Sequence, residues 1–213
     1  MKRGSVKAAR LGFWERFLRV FCVGVVHLVH RPKCCGPKPA LEEPTIFACR
    51  HVGLMDPVIL MVLYHRMMIR PLVARDYYDK NRFTRFFYRL AQCIPIERHM
   101  ASTQWLEDSL AALERGESVI IFPEGRRNKS GKGLLPFHSG VTLLAASSGA
   151  RVVPVYNAVW HFPHRYRLAI GDPVRLDDPA PEEMKSRWLR EQTDRIQAAV
   201  ADLAPRVEQE FQS

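Results

Sequence analysis

The chain has 213 residues, with 32 Lys plus Arg against 22 Asp plus Glu, a formal charge of +10 at pH 7. Hydrophobic residues make up 47% and charged residues 25%, proportions that suffice for a core and exclude a natively unfolded basic protein. The excess charge is uneven: residues 1–40 hold nine Lys or Arg against Glu15 alone, a local +8. That end is therefore suited to an anionic surface, either a membrane or a nucleic acid.

The five cysteines are an odd number in a chain too long to need staples, so a secreted disulfide framework is disfavoured. Cys34 and Cys35, with His27 and His30 nearby, do not reproduce zinc-ligand spacing, and no metal is expected. The most apolar stretch, Leu11–Val29, is interrupted by Glu15, Arg16, Arg19 and His27, too often for a membrane span. It reads as a helix lying in a membrane interface, with Phe13, Trp14, Phe17 and Phe21 available for its apolar side. A helix packed on the domain is the alternative, and the two readings are compatible. His30-Arg31-Pro32-Lys33 stands where a signal peptidase needs small residues, which disfavours a cleaved signal.

Residues 31–44 carry four prolines and a glycine and read as a linker, which separates an N-terminal membrane-association segment and linker, 1–44, from an α/β domain, 45–213. Strands are expected at Thr45–Cys49, Ile69–Ala74, Cys93–Glu97, Ser118–Phe122 and Val152–Ala158. Helices are expected at Pro57–Tyr64, Phe83–Ala91, Thr103–Glu114 and Val141–Ser147. This alternation argues an α/β fold with a mostly parallel sheet flanked by helices. Residues 166–176 read as a strand pair, or as one strand and a turn at Gly171-Asp172-Pro173. From Pro181 the apolar spacing is helical, with Pro205 placed to kink or end the helix.

Two segments carry chemistry. Arg50-His51-Val52-Gly53-Leu54-Met55-Asp56-Pro57 follows a strand, at the end where open α/β sheets place their sites. His51 and Asp56 can meet across a tight turn, leaving Nε2 free to take a proton; Asp56-Pro57 can equally be an ordinary helix start. The second segment, Phe122-Pro123-Glu124-Gly125-Arg126-Arg127-Asn128, sets a carboxylate, a glycine and two guanidiniums at a strand end, which suits a phosphate. Five residues separate Gly125 from Gly131 where a nucleotide phosphate loop requires four, which disfavours that reading. A solvated basic hairpin is the plain alternative.

Together these segments resemble the glycerolipid acyltransferase family, including the 1-acyl-glycerol-3-phosphate acyltransferases. His51 and Asp56 match its signature of His, four residues, then Asp. Ile94-Pro95-Ile96-Glu97-Arg98 resembles the second block, Phe122-Pro123-Glu124-Gly125 with Arg127 matches the third, and Val153-Pro154-Val155 resembles the fourth. The likeness covers about residues 45–160. Arg50, Gly53, Arg126 and Asn128 depart from the usual residues, and the two arginines bear on which headgroup is preferred.

The resemblance implies acyl transfer from a thioester to the hydroxyl of a lysophospholipid, with no cofactor and with coenzyme A or acyl carrier protein bearing the co-substrate. An alcohol is a poor nucleophile at neutral pH, so a positioned base is the main requirement. By the resemblance His51 would be that base and Asp56 its orienting partner. Arg98 and Arg127 would hold the acceptor phosphate, and Glu124 and Gly125 would shape the same pocket or bind a glycerol hydroxyl. It also implies a peripheral or monotopic protein on membrane phospholipids, its site facing the cytoplasm, and no nucleic-acid partner. A phospholipid transacylase, a lysophospholipid remodelling enzyme and a non-enzymatic lipid- or nucleic-acid-binding module are the rival readings. The cations Arg66, Arg70, Arg75, Lys80, Arg82, Arg85 and Arg89 read as a solvated helix face or as a surface for lipid phosphate or acyl carrier protein.

Overall fold

The runs Thr45–Cys49 and Ser118–Ile121 are too short for helices and show little polar alternation, the pattern of strands covered on both faces. In the computed structural model every residue of both runs is buried. The structure describes residues 31–97, 103–130, 133–161, 164–178 and 185–212, with residues 24, 26, 28 and 29. In chain order the elements are β1 (Lys33–Cys34), β2 (Thr45–Cys49), α1 (Asp56–Leu63), β3 (Ile69–Ala74), α2 (Arg75–Tyr78), α3 (Arg82–Leu90) and β4 (Ile94–Ile96). There follow α4 (Gln104–Glu114), β5 (Ser118–Ile121), α5 (Gly140–Ser148), β6 (Arg151–His161), β7 (His164–Ile170), α6 (Lys185–Ala201) and α7 (Ala204–Gln212).

Among the described residues the strands form one sheet in the order β1-β7-β6-β2-β5-β3-β4. The strands β6, β2, β5, β3 and β4 run parallel, and β7 returns antiparallel to β6. The mostly parallel α/β architecture expected from the alternation is the one observed. Parallel neighbours put their following loops at the same edge. Here Phe47 pairs with Ile120 and Ala48 with Ile121, so the loops after β2 and β5 leave the sheet side by side.

Alternate residues of these strands serve opposite faces. Phe47, Cys49, Ile120, Val153 and Val155 join α1 through Ile59 and Leu60 in one core. Ile46, Ala48, Val119, Ile121 and Val152 join Ala112, Leu144 and Ile196, from α4, α5 and α6, in the other. Buried hydroxyls of Thr142 and Thr193, 2.7 Å apart, tie α5 to α6.

One local reading changes and two are made specific. The proline-rich stretch is not only a linker: Lys33 and Cys34 pair in parallel with β7 at Arg167 and Leu168, and Cys35 is buried. Residues 166–176 form one strand to Ile170, after which Val174 bridges back to Val152. The last helix breaks at residues 202–203, and Pro205 sits in the first turn of α7, where its missing N–H costs nothing. The aromatic part of the N-terminal stretch, Phe13 to Phe21, lies outside the described residues. Near its far end Val26 is buried in the α1-side core, while Leu28 and Val29 are exposed. No helix among the described residues is long and apolar enough to cross a membrane.

Candidate active site

The loop after β2 turns tightly because one carboxylate gathers it. Asp56 Oδ2 accepts from the backbone N–H of Val52 at 2.8 Å and of Gly53 at 2.9 Å, and lies 2.9 Å from His51 Nδ1. Asp56 also begins α1 with Pro57 behind it, so the helix starts where expected, but Asp56 pairs with His51 instead of capping that start. Its carboxylate faces back onto the loop and caps no N–H of its own helix. Asp56 Oδ1 accepts from Tyr166 Oη at 2.9 Å. Burial and the Asp56 charge raise the Tyr166 phenol well above its usual range, so it remains a neutral donor. The imidazole is held from a second side by Phe122, stacked at 4.1 Å between ring centroids. Nδ1 is thereby engaged, and Nε2 is the nitrogen available to the cavity that His51 lines.

A polar layer lies behind this pair. Arg50 is fully buried, donates to the Asn157 carbonyl at 2.8 Å and lies over the Tyr156 ring at 4.6 Å. The Asn157 amide donates in turn to Tyr166 Oη. One chain of contacts thus runs from Arg50 through Asn157 and Tyr166 to Asp56. Glu124, 2% exposed, accepts from the Leu135 N–H at 3.2 Å. Burial pushes its carboxyl up from the ordinary value, opposed by the backbone N–H groups of Leu135 and His51 and by the charges of Arg50 and His51.

In front lies a cavity of about 570 Å³. Apolar side chains, among them Leu54, Leu72, Tyr77 and Tyr88, form part of its wall, while Gly125, Arg126, Arg127 and Lys129 bring backbone and charge to another part. Gly125 has φ +66°, and a Cβ there would stand 3.0 Å from His138 Cδ2. Glycine therefore meets both a backbone and a space requirement at this turn. Asn128 is buried, and its N–H donates to the His51 carbonyl at 2.6 Å, which locks the two loops together.

Of the residues singled out from sequence, His51, Asp56, Gly125 and Arg127 come together here. Glu124 is buried and is not among the residues that line the cavity. Arg98 lies outside the described residues. Sequence reasoning missed Tyr166, Asn157 and Phe122 as supports of the pair, and treated Arg50 only as a departure from pattern. Tyr166 on β7 meets Asn157 from β6 and Asp56 from the start of α1, and contacts between separate elements leave no local signal in the sequence.

Cys49 is the neighbouring thiol, and its pKa is raised well above the ordinary value by burial and by Asp56, which leaves it inert. Ser130 lines the cavity with its hydroxyl donated to Asn128 Oδ1 at 2.6 Å. The fold and site thus set a His–Asp pair at the wall of a partly apolar cavity that also carries cations, within an α/β domain.

The chain belongs to the acyltransferase family: the family model described as Acyltransferase matches residues 26–158. It is 30% identical over 127 residues to the 1-acyl-sn-glycerol-3-phosphate acyltransferase of Neisseria gonorrhoeae, covering 55% of this chain and 46% of that one. It is 38% identical over 127 residues to a chloroplastic protein of the same activity name from Brassica napus, covering 55% and 33%. A Dictyostelium discoideum protein named Taffazin is 30% identical over 159 residues, covering 70% and 54%. The chain therefore spans a third to about half the length of these curated relatives. The crystal structure of the 1-acyl-sn-glycerophosphate acyltransferase of Thermotoga maritima shares the fold, with a TM-score of 0.56 and 18% identity over 87% of this chain and 85% of that one.

Proposed function

We propose that the protein transfers a fatty acyl group from a thioester of coenzyme A or acyl carrier protein to the free hydroxyl of a lysophospholipid. The acceptor is 1-acyl-glycerol-3-phosphate and the product phosphatidic acid. The observation that carries this reading is the 2.9 Å contact of His51 Nδ1 with Asp56 Oδ2, at the wall of a cavity that also holds Arg126, Arg127 and Lys129. A lysophosphatidate offers an acyl chain, a hydroxyl and a phosphate. The cavity supplies an apolar wall, a base and cations to match. The activity names of the Neisseria and Brassica relatives support the same acceptor.

His51 Nε2 takes the acceptor's hydroxyl proton as its oxygen attacks the thioester carbonyl. The resulting imidazolium is stabilised by Asp56. Collapse of the tetrahedral intermediate breaks the C–S bond, and the proton passes from His51 to the departing thiolate, leaving ester and free thiol. Arg127 and its neighbours hold the phosphate by charge-assisted hydrogen bonds. Glu124 fixes the backbone of His51 and Leu135.

A panel of lyso-acceptors, with acyl-coenzyme A or acyl carrier protein as donor and lipid mass spectrometry as readout, tests the proposal. Phosphatidic acid formed from lysophosphatidate is the expected result. Acylation of a neutral-headgroup lysolipid while lysophosphatidate is ignored overturns the acceptor assignment, and transfer that needs no thioester identifies a transacylase instead.

A further inference from the structure

Helix α3 is amphipathic with its apolar side turned away from the protein. At about 100° per residue, Phe83, Phe86, Phe87 and Leu90 fall in one arc about 100° wide. They are 76%, 65%, 47% and 56% exposed. Thr84 and Tyr88 occupy the inward side: Thr84 caps the helix with Asn81, and Tyr88 stacks on Tyr78 and lines the cavity. Arg82, Arg85 and Arg89 border the apolar arc on one flank and are all exposed. The reciprocal Asn81–Thr84 capping box stabilises the start of this helix, although its apolar face joins no core cluster among the described residues.

An exposed apolar patch of this density on a folded domain marks an interaction site. A flank of arginines beside aromatic side chains is the composition of a helix that lies in the surface of an anionic bilayer. The position agrees with that occupant. The same helix walls the cavity with Tyr88, and the exposed Leu54 and Tyr77 also line it. We propose that α3 docks on the surface of an anionic phospholipid membrane, with Phe83, Phe86, Phe87 and Leu90 at the acyl boundary and Arg82 and Arg89 on headgroup phosphates. This contact sets the cavity against the lipid, so that a lysolipid enters it without crossing water. The inference rests on the lipid reading of the site only for that last consequence.

Flotation of the full chain with phosphatidylcholine vesicles, with and without phosphatidylglycerol, tests the surface. Phe83→Ser/Phe86→Ser is expected to lower vesicle partitioning at least about 10-fold on both compositions. Arg82→Gln/Arg89→Gln is expected to lower it about 10- to 30-fold on the anionic vesicles alone. Both pairs are exposed, and unchanged melting temperatures verify the fold. Unchanged partitioning of both variants overturns the proposal. So does a monomer–dimer equilibrium that the phenylalanine pair shifts without altering partitioning, which assigns the face to a second copy of the chain. Turnover of a short-chain, water-soluble lysophosphatidate separates the two readings. If it persists in variants whose binding is unaltered, the docking surface fails and the enzyme stands; if wild type binds vesicles through α3 and releases no thiol, the surface stands and the enzyme fails.

Discussion

Tyr166 donates its hydroxyl to Asp56 Oδ1 at 2.9 Å, across 110 positions of sequence and from the antiparallel strand β7 onto the loop after the parallel strand β2. This contact and the two N–H groups of Val52 and Gly53 engage the carboxylate on both oxygens. Its orientation toward His51 is then fixed before any substrate arrives. Catalytic groups held this way avoid reorganisation during reaction.

Tyr166→Phe therefore removes a donor from a buried carboxylate and an acceptor from the Asn157 amide, at a cost of about 1–3 kcal/mol. Urea unfolding reads that loss as a lower midpoint. Because Asp56 gains freedom to turn, turnover with lysophosphatidate is expected to fall roughly 10- to 100-fold. An unchanged turnover at reduced stability assigns Tyr166 a purely structural role.

Gly125→Ala meets two obstacles at once. A side chain at φ +66° is strained by roughly 1–2 kcal/mol, and its Cβ would press on His138. Lower thermal stability and a weakened acceptor KM are both expected, since the turn carries Arg126 and Arg127 into the cavity wall. Thermal melting beside steady-state kinetics checks the pair of effects.

Arg127→Gln tests the proposed phosphate site without altering the His–Asp pair. Loss of a charge-assisted hydrogen bond, about 1.5–3 kcal/mol, corresponds to about a 10- to 100-fold rise in KM for lysophosphatidate. A lysolipid without a phosphate monoester is expected to lose less. Equal losses on both acceptors place Arg127 in general packing.

Glu117 makes a pH-dependent clamp at the start of β5, receiving two hydrogen bonds from Arg70 and further ones from Arg115. Burial opposes its charge, but the hydrogen bonds and charges of the two guanidiniums outweigh that and lower its pKa. A lowered folded pKa gives stability that is present above the unfolded carboxyl value and lost as pH falls through the folded one. Glu117→Gln is accordingly expected to cost about 2 kcal/mol at neutral pH and progressively less in acid below the ordinary glutamate range. Melting curves across that range check it; a cost independent of pH contradicts it.

The alternation of apolar runs was enough to place most strands and helices, because each is short, apolar and bounded by turn residues. The His51–Asp56 pair and the Gly125–Arg127 turn were legible for the same reason, since each lies within one loop. Contacts that depend on topology were not legible. Nothing local marks Tyr166 as the partner of Asp56, or Arg50 as a fully buried cation over Tyr156. Arg70, read among solvated cations, is a strand residue whose inward partner Glu117 lies 47 positions away. The proline-rich stretch hid β1 because two paired residues leave no periodic trace.

The central claim is that His51 Nε2 removes the acceptor's proton. Thiol release from acyl-coenzyme A, measured with and without lysophosphatidate for wild type and for a folded His51→Ala variant, tests it most directly. Wild type is expected to release thiol only with the acceptor present, and the variant to be slower by about 100- to 10,000-fold. Equal acceptor-dependent rates for the two proteins would contradict the account.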